Sequence, residues 1–315
     1  MRNIASSQPI HVDAPVTHAE ILQQPELWPI TLDLVERRSL DTTLIDGPVV
    51  ITGAGTSAYA AFAIAESWGT ARAVPTTDLL LNASPFFDKA GLLISLARSG
   101  DSPESVAAIE NVQRAFPSVK HLAITCNPAG KLASAKAVDV LMLDERTNDR
   151  SLAMTSSFSN LVLAGMALRH GSPLRAVIGT VCDRASESLA SLEQQAREIA
   201  SRSPSRVVIL ASRPLYGAAR EASLKILEMT AGRTVAIPET FLGLRHGPMS
   251  FLRSDTLVVC LLSTDSFIRQ YEEDLIEELR AKRLGHIVAI GCEQSSVLRV
   301  DRFIPANAPE LPDIL

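Results

Sequence analysis

The chain has 315 residues, of which 46% are hydrophobic, only 4% are aromatic and 21% are charged, and its formal net charge is −5. This composition supports a large core, and its Ala, Leu, Val and Ile content is typical of helices packed on buried parallel strands. A negative charge without a long basic run argues against nucleic acid as a partner. We find no apolar stretch long enough to span a membrane and no apolar core of a signal peptide.

The first 47 residues predict a helical arm. Within them, the segment THAEILQQPELWPITLDLVERRSL has apolar residues at helical spacing, interrupted by Pro25 and Pro29. From residue 48 onward, short β-branched runs alternate with helical patterns. The runs predicted as strands are PVVITGAG, GLLISLA, HLAITC and VDVLML. Such alternation predicts βαβ units and a parallel sheet.

A long helical stretch from Leu174 to Ser203 ends in SRSPS, which we interpret as a linker. The pattern then restarts, and the predicted strands are RVVILASRP, TVAIPE, DTLVVCLLS, HIVAIG and DRFIPA. We therefore expect three parts. They are an arm over residues 1–47, a first α/β subdomain with its connecting helix over 48–203, and a second subdomain over 204–315.

The two halves of the chain match each other. VVITGAGTSAYAAFAIAESW aligns with VVILASRPLYGAAREASLKI, LLISLARSGDSPES with LVVCLLSTDSFIRQ, and HLAITC with HIVAIG. This indicates an internal duplication of a whole α/β unit. The predicted fold class is therefore α/β, with two doubly wound parallel sheets in α/β/α layers after a helical arm.

The four cysteines, Cys126, Cys182, Cys260 and Cys292, are scattered along the chain. Their spacing fits neither a zinc site nor a disulfide framework. We interpret them as reduced cysteines, three of them in or beside apolar runs, of a cytoplasmic protein.

The turn GAGTSAY joins a predicted strand to a helix. Its glycines permit close backbone approach, and Thr56 or Ser57 can cap the helix. An anion at such a helix start meets free N–H groups and the positive end of the helix dipole. It is not the dinucleotide fingerprint, because no acidic residue ends a strand at the required distance. A purely structural cap remains the alternative.

A second hydroxyl-rich turn is SLARSGDSPES. Ser102 followed by a proline predicts a helix N-cap, which does not explain Ser99 and Gly100. These residues, with the first-turn N–H groups, could cradle a phosphate, and Arg98 could offset Asp101, whose charge is unfavourable there. The matching turn in the second half lacks most of these hydroxyls, which favours a binding role over a need of the fold.

A third cluster, LAMTSSFSN, opens another helix and contains Thr155 and Ser156. Since all three turns follow strands of the same half, the sequence predicts one polar pocket at the carboxyl ends of those strands.

In the second half, one predicted helix carries Glu221, Lys225 and Glu228 on one face. A solvated ion pair is the ordinary interpretation. Because the rest of this helix is largely apolar, the charges could also be partly buried, and a desolvated carboxylate is suited to act as a general base. Downstream, His246 lies in an Arg-His-Gly-Pro loop that would hold an imidazole in a fixed position.

Five motifs in order, GTS, RSGDS, AMTSSF, EASLKILE and HGP, resemble the sugar isomerase (SIS) family over Pro48 to Ala306. The nearest groups are the isomerase domain of glucosamine-6-phosphate synthase and the AgaS-type proteins. ARSGDSPES and LAMTSSFS are similar to the latter in particular. The resemblance implies two SIS subdomains, related by duplication, with no metal or organic cofactor.

The resemblance also implies roles for individual residues. Phosphate binding falls on Ser57, Ser99 and Ser102, with Thr56 and Gly100 as neighbours. Proton transfer between C1 and C2 of the sugar falls on Glu228, with Glu221 and Lys225 as charged neighbours. Ring opening falls on His246, which in relatives can come from the neighbouring subunit, so a homodimer or larger assembly is implied. At the positions of Ala97 and Arg98 the synthase has Ser-Gln, and it covers the sugar with a catalytic tail. We expect either that such a tail is missing from this sequence or that the site is more open.

The resulting hypothesis is a deaminating aldose–ketose isomerase that converts a hexosamine 6-phosphate to a ketose 6-phosphate and ammonia. Two alternatives stay open from the sequence. One is an isomerase that releases no ammonia, and the other is a sensor that binds phosphosugars without chemistry. The presence of both Glu228 and His246 favours an enzyme.

Overall fold

The computed structural model describes residues 13–38, 42–87, 91–135 and 138–306. The helices are α1 (Ala14–Leu22), α2 (Gln24–Arg38), α3 (Thr56–Trp68), α4 (Thr76–Leu81), α5 (Pro103–Ala115), α6 (Ser156–Ala200), α7 (Tyr216–Met229), α8 (Phe241–Leu244) and α9 (Ser266–Ala281). The strands are β1 (Val49–Gly53), β2 (Arg72–Pro75), β3 (Leu92–Ala97), β4 (Lys120–Thr125), β5 (Asp139–Met142), β6 (Arg206–Ala211), β7 (Val235–Glu239), β8 (Leu257–Leu261), β9 (His286–Gly291) and β10 (Arg302–Pro305).

The strands form two five-stranded sheets with the same strand order. The first sheet runs β2-β1-β3-β4-β5, and the second runs β7-β6-β8-β9-β10. All neighbouring strands are parallel. Each strand of the first sheet thus has a counterpart five strands later. The predicted α/β class with two duplicated parallel-sheet units is confirmed.

Successive side chains of each strand point to opposite faces of the sheet, and both faces of each sheet are buried. In the first sheet, Ile51 and Ile94 pack towards α2, α3 and α6, whereas Val50 and Leu93 pack towards α4 and α5. The second sheet is covered in the same way, by α8 and α9 on one face and α7 on the other. Burial on both faces explains why the central strands are continuous apolar runs in the sequence.

The described part of the amino-terminal arm, residues 13–38, is helical as predicted and packs on the first unit, whereas residues 1–12 and 39–41 of the predicted arm lie outside the described residues. Helix α2 lies along α6, and the Arg175 guanidinium of α6 hydrogen-bonds Asp33 at 2.6 Å and Glu36 at 2.8 Å. Pro29 lies inside α2. The arm therefore buries one face of the long helix that connects the two units.

Several local features differ from the sequence prediction. The two helices expected before and after residue 174 form one long helix, α6, with a non-helical residue at His170. Pro173 lies just beyond it and cannot donate to the preceding turn, which accounts for the kink. Strand β2 and helix α4 were not predicted. The segment AGKLASAK, whose pattern predicts a short helix, instead forms a 3-10 turn over Lys131–Ser134. The predicted domain boundaries at residues 47 and 203 remain predictions.

The four cysteines are all free, two buried and two partly buried. Within the described ranges, no helix combines the length and apolar character that a membrane crossing requires.

Candidate active site

Three turns of the first unit lie at the carboxyl ends of its parallel strands. They lead from β1 into α3, from β3 into α5 and from β5 into α6. Carboxyl ends of parallel strands share one edge of a sheet, and ligands of open α/β sheets bind at this edge. The sequence prediction of three polar turns at one edge therefore agrees with the observed topology.

The β1–α3 turn differs from the prediction in its cap. Gly55 is the N-cap residue, with φ of 57°, and no side chain caps the helix there. Thr56 and Ser57 are therefore the first helical residues and are not caps. Both are buried. The Thr56 hydroxyl donates to Oε1 of Glu221 at 3.0 Å and accepts from Nζ of Lys225 at 3.1 Å. That hydroxyl is engaged with the second unit and is not free to bind a phosphate.

Helix α7 carries the predicted charged trio on one face. Nζ of Lys225 lies 3.0 Å from Glu221 and 2.7 Å from Glu228. The side chains are 6% exposed for Glu221, 19% for Lys225 and 24% for Glu228, so the prediction of partial burial is confirmed. Burial raises the pKa of Glu221, and the nearby Lys225 cation and Thr56 hydroxyl oppose that rise. The lysine therefore holds two carboxylates close together beside the first unit.

The β3–α5 turn is built around Ser102. Its hydroxyl accepts from the Ser105 N–H at 3.2 Å, which confirms the predicted N-cap. Gly100 has φ of 67°, where a side chain is unfavourable. Asp101, whose place the sequence did not indicate, accepts from the Lys131 N–H at 3.1 Å and so fixes the turn after β4. Its carboxylate is thereby held by a backbone donor of another loop.

Arg98 precedes this turn and is half-buried. Its Nη1 donates to the Ser151 carbonyl at 3.2 Å. Within the described part of the chain, no carboxylate lies at ion-pair distance from it. A half-buried guanidinium without a carboxylate partner, next to a hydroxyl-rich turn, suits an anionic ligand.

The β5–α6 turn corrects the prediction for Thr155 and Ser156. Asp149, which is buried, accepts from the N–H groups of Thr155, Ser156 and Ser157 and from the hydroxyls of Thr155 and Ser157. The Ser156 hydroxyl donates to the Glu20 carbonyl at 2.7 Å and accepts from Gln23 at 2.8 Å. The Asp149 carboxylate thus caps helix α6, and the Thr155 and Ser156 hydroxyls anchor the start of that helix, so their geometry does not support a role as phosphate ligands.

His246 is exposed in the loop that follows α8. The preceding Arg245 is bound to α9 through Asp274 at 2.6 Å and Glu278 at 2.7 Å, and this ion pairing fixes the base of the loop. Within the described residues, the His246 side chain makes no hydrogen bond or ion pair with the α7 trio. A single chain thus joins Thr56, Glu221, Lys225 and Glu228 through hydrogen bonds and ion pairs that do not include His246.

Two acidic residues of this region were not identified from the sequence. Asp149 lies in a charged loop of ordinary composition, and Glu20 lies on an arm helix far away in sequence. Glu20 Oε1 accepts from the Arg150 N–H, 130 residues away, at 2.6 Å. An aspartate shortly before a hydroxyl cluster was the available signal for Asp149, whereas no local pattern indicates Glu20.

Among the described residues, no group of three or more His, Cys, Asp or Glu side chains is arranged to hold a metal ion. The polar groups of the candidate site are therefore hydroxyls, backbone N–H groups, the Arg98 guanidinium and the α7 trio.

The chain is similar over most of its length to curated proteins, although it matches no protein-family model. It is 36% identical to the D-galactosamine-6-phosphate deaminase AgaS of Escherichia coli over 305 residues, which cover 90% of this chain and 79% of that protein. It is 38% identical to the protein of the same name from Shewanella sp. strain ANA-3 over 287 residues, covering 84% and 73%.

Solved structures agree with this relationship. The crystal structure of tagatose-6-phosphate ketose/aldose isomerase from Escherichia coli superposes with a TM-score of 0.86 at 35% identity, covering 95% of this chain and 88% of that one. The C-terminal domain of glucosamine-fructose-6-phosphate aminotransferase from Francisella tularensis shares the fold, with a TM-score of 0.74 at 15% identity and coverage of 98% and 94%. The chain belongs to the D-galactosamine-6-phosphate deaminase AgaS family.

Proposed function

We propose that this chain is a deaminating aldose–ketose isomerase that converts galactosamine 6-phosphate to tagatose 6-phosphate and ammonia. The observation that carries the proposal is the link between the two units at Thr56. Through it, the partly buried carboxylate–lysine trio of α7 lies beside the hydroxyl-rich edge of the first sheet. Its relatives named for this activity support the choice of substrate.

In this proposal, the phosphate binds to the first unit. Its ligands are the Ser57 and Ser99 hydroxyls, the N–H groups around Gly100 and the Arg98 guanidinium. The Ser102 hydroxyl joins them by turning its proton from Ser105 and Glu104 to the phosphate, while it still accepts from the Ser105 N–H. Helix N-termini favour anions through their free N–H groups and dipole. The orientation of Asp101 towards Lys131 supports this assignment, because its carboxylate is satisfied by another loop.

The second unit supplies the acid–base chemistry. His246 moves a proton between the C1 hydroxyl and the ring oxygen, which opens the ring. Glu228 then removes the C2 proton of the open-chain aldehyde and gives an enolamine, and return of that proton to C1 gives a ketimine. Water adds to the ketimine, and ammonia leaves as the C2 ketone of tagatose 6-phosphate forms. Lys225 orients the Glu228 carboxylate through their ion pair.

The separation of His246 from the α7 trio in one chain leads us to propose a homodimer or larger assembly in which His246 acts in the partner's site. Mixing Glu228→Gln chains with His246→Asn chains tests it. Each variant alone is expected to be nearly inactive. Random reassociation into dimers should restore about a quarter of the wild-type activity, because half of the dimers are mixed and carry one intact site. Absence of any recovery, with subunit exchange confirmed, would exclude sharing.

The direct test of function measures ammonia and ketose production from galactosamine, glucosamine and tagatose 6-phosphates side by side. The proposal expects equal amounts of ammonia and tagatose 6-phosphate from the first substrate. Isomerisation of tagatose 6-phosphate without ammonia from either amino sugar would identify a non-deaminating isomerase. Binding of all three without turnover would contradict an enzyme. Free cysteines and a phosphorylated substrate favour the cytoplasm as its location.

A further inference from the structure

Glu20 on the arm helix α1 is a buried carboxylate outside the catalytic set, only 5% exposed. Its Oε1 accepts from the N–H groups of Arg150 at 2.6 Å and Ser151 at 3.3 Å. Its Oε2 is buried without a hydrogen-bond partner in the described part of the chain. Burying a carboxylate costs free energy unless hydrogen bonds compensate for the lost water. Here the compensating hydrogen bonds come from the loop beside the proposed phosphate site.

The loop that Glu20 holds is fixed from its other side as well. Asp149 binds it to the start of α6, and the Ser151 hydroxyl donates to the Ala153 carbonyl at 2.8 Å. Ser151 is itself buried. Its backbone carbonyl therefore has a defined position, and that carbonyl accepts the Arg98 guanidinium at 3.2 Å.

Arg98 is held at its backbone too. Its carbonyl accepts from the Thr125 hydroxyl at 3.4 Å, and the Asn127 amide donates to the carbonyl of the adjacent Ser99 at 2.8 Å. One N–H of the guanidinium thus joins the β5–α6 loop, and its other N–H groups carry no hydrogen bond within the described residues. They remain available to a ligand in the β3–α5 turn.

We infer that Glu20 is a positioning residue, through which the amino-terminal arm orients Arg98 for the phosphate of the substrate. The order of contacts is Glu20 to the Ser151 N–H, the Ser151 carbonyl to Arg98, and Arg98 to the anion. An arginine fixed in advance loses less side-chain freedom when its ligand binds, which increases affinity. The inference rests on the proposed phosphate site, and it makes the arm a part of that site.

A double-mutant cycle tests the inference. Calorimetry measures the dissociation constants of galactosamine 6-phosphate and of inorganic phosphate for wild type, Glu20→Ala, Arg98→Ala and the double variant. We expect each single variant to weaken binding about tenfold, the size expected when a charged hydrogen bond is lost. In the Arg98→Ala background, Glu20→Ala should have no further effect. In steady-state assays Glu20→Ala should raise KM and leave kcat nearly unchanged.

Two further variants separate positioning from a loss of structure. Glu20→Gln keeps an acceptor for the Ser151 N–H and should recover most of the affinity. If Glu20→Ala does not fold, Glu20→Leu, which fills the same space without an acceptor, takes its place in the cycle. Thr31→Val removes a buried hydroxyl bond between the arm and Asn160, and should lower stability without changing phosphate affinity.

The outcomes distinguish this inference from the proposed function. Coupled losses of binding in a chain without deaminase activity would support the inference and contradict the function. If the wild-type chain is a fully active deaminase, two results would overturn the inference alone. One is that the binding losses of Glu20→Ala and Arg98→Ala add in the double variant, and the other is that Glu20→Ala binds with wild-type affinity. Failure of the wild-type chain to bind either phosphate compound would overturn both.

Discussion

The two units have the same strand order but different turns after their central strands. In the first unit, the turn after β3 is capped by the Ser102 hydroxyl. In the second, the turn after β8 is capped by the Asp265 carboxylate, which accepts from the N–H groups of Phe267 and Ile268. A second carboxylate, that of buried Glu272, accepts from the Ser263 N–H of the same turn at 2.9 Å.

This difference shows how one fold can serve two roles. Two carboxylates at the β8–α9 turn occupy backbone donors that an anion would need, and they repel a phosphate. The first-unit turn also carries two acidic residues, but Asp101 accepts from the Lys131 N–H of another loop and Glu104 accepts from the Ser102 hydroxyl, so neither occupies a backbone donor of the turn. In the proposed function, the anion therefore binds to the first unit, and the second unit contributes the charged face of α7.

Glu228→Gln should produce the largest effect, because it removes the proposed proton carrier, together with its ion pair to Lys225, while keeping the shape of the side chain. We expect kcat to fall by about 10²- to 10⁴-fold, the usual contribution of a positioned general base. Ammonia release from galactosamine 6-phosphate measures it. The control is Glu277→Gln, which makes the same substitution at an exposed position of α9 and should keep wild-type activity. A wild-type rate in Glu228→Gln would contradict the assigned role.

His121 and His286 begin the matching segments HLAITC and HIVAIG of the two halves, and they should contribute differently to the stability of the protein at acid pH. Burial lowers the pKa of His121 to about 4, whereas His286 is partly exposed and Asp301, 3.4 Å away, opposes its lowering. An unfolded histidine titrates near 6.5, so the unfolded chain takes up the proton first. Stability due to neutral His121 is thus complete above about pH 6.5 and is lost as the pH falls towards about 4, by about 3 kcal/mol in all.

Urea unfolding at a series of pH values checks this expectation. His121→Gln should flatten the decline in unfolding free energy over that range, and His286→Gln should change it less. An unchanged decline in His121→Gln would show that other groups cause it.

Thr56→Val tests the link between the units. The isosteric change leaves the buried Glu221 carboxylate without its hydroxyl donor, which should cost about 1–3 kcal/mol of unfolding free energy. It should also lower kcat, because Thr56 contacts Lys225. Thr31→Val, which removes a buried hydroxyl from the arm, should lower stability with no change in kcat. Equal kinetic effects of both variants would argue against a special role for Thr56.

The two helix caps offer the smallest and most closely matched comparison. Ser102→Ala and Asp265→Ala should each cost about 1 kcal/mol of stability, the usual value of a cap. Only Ser102→Ala should also raise KM for the phosphosugar. Thermal unfolding and steady-state kinetics give both quantities, and a KM increase in Asp265→Ala would show that the units are not divided as proposed.

The strength of each sequence signal explains what could be predicted. Strands β1 and β3 are buried along their whole length and appear as apolar runs. Strand β2 was missed because it is a short edge strand in which only Val74 is buried. The spacing of Glu221, Lys225 and Glu228 predicted that they share one face of α7, and the Ser-Pro sequence at Ser102 predicted the helix cap.

Contacts between distant residues could not be predicted in this way. Thr56 and Glu221 are 165 residues apart, and Glu20 and Arg150 are 130 apart. A serine hydroxyl that caps a helix, anchors an arm or binds a phosphate has the same local sequence around it. The assignment of Ser156 to a phosphate site therefore did not fit the structure, whereas Asp149 and the arm account for its bonds.

The central claim is that the first unit binds the phosphate and the second unit carries out proton transfer. Calorimetric titration of galactosamine 6-phosphate into Glu228→Gln and Ser99→Ala tests this division of roles most directly. The division predicts that Glu228→Gln binds with near wild-type affinity, and that Ser99→Ala binds about tenfold more weakly, as expected for a lost hydrogen bond to a charged group. Weak binding by Glu228→Gln together with wild-type binding by Ser99→Ala would contradict it.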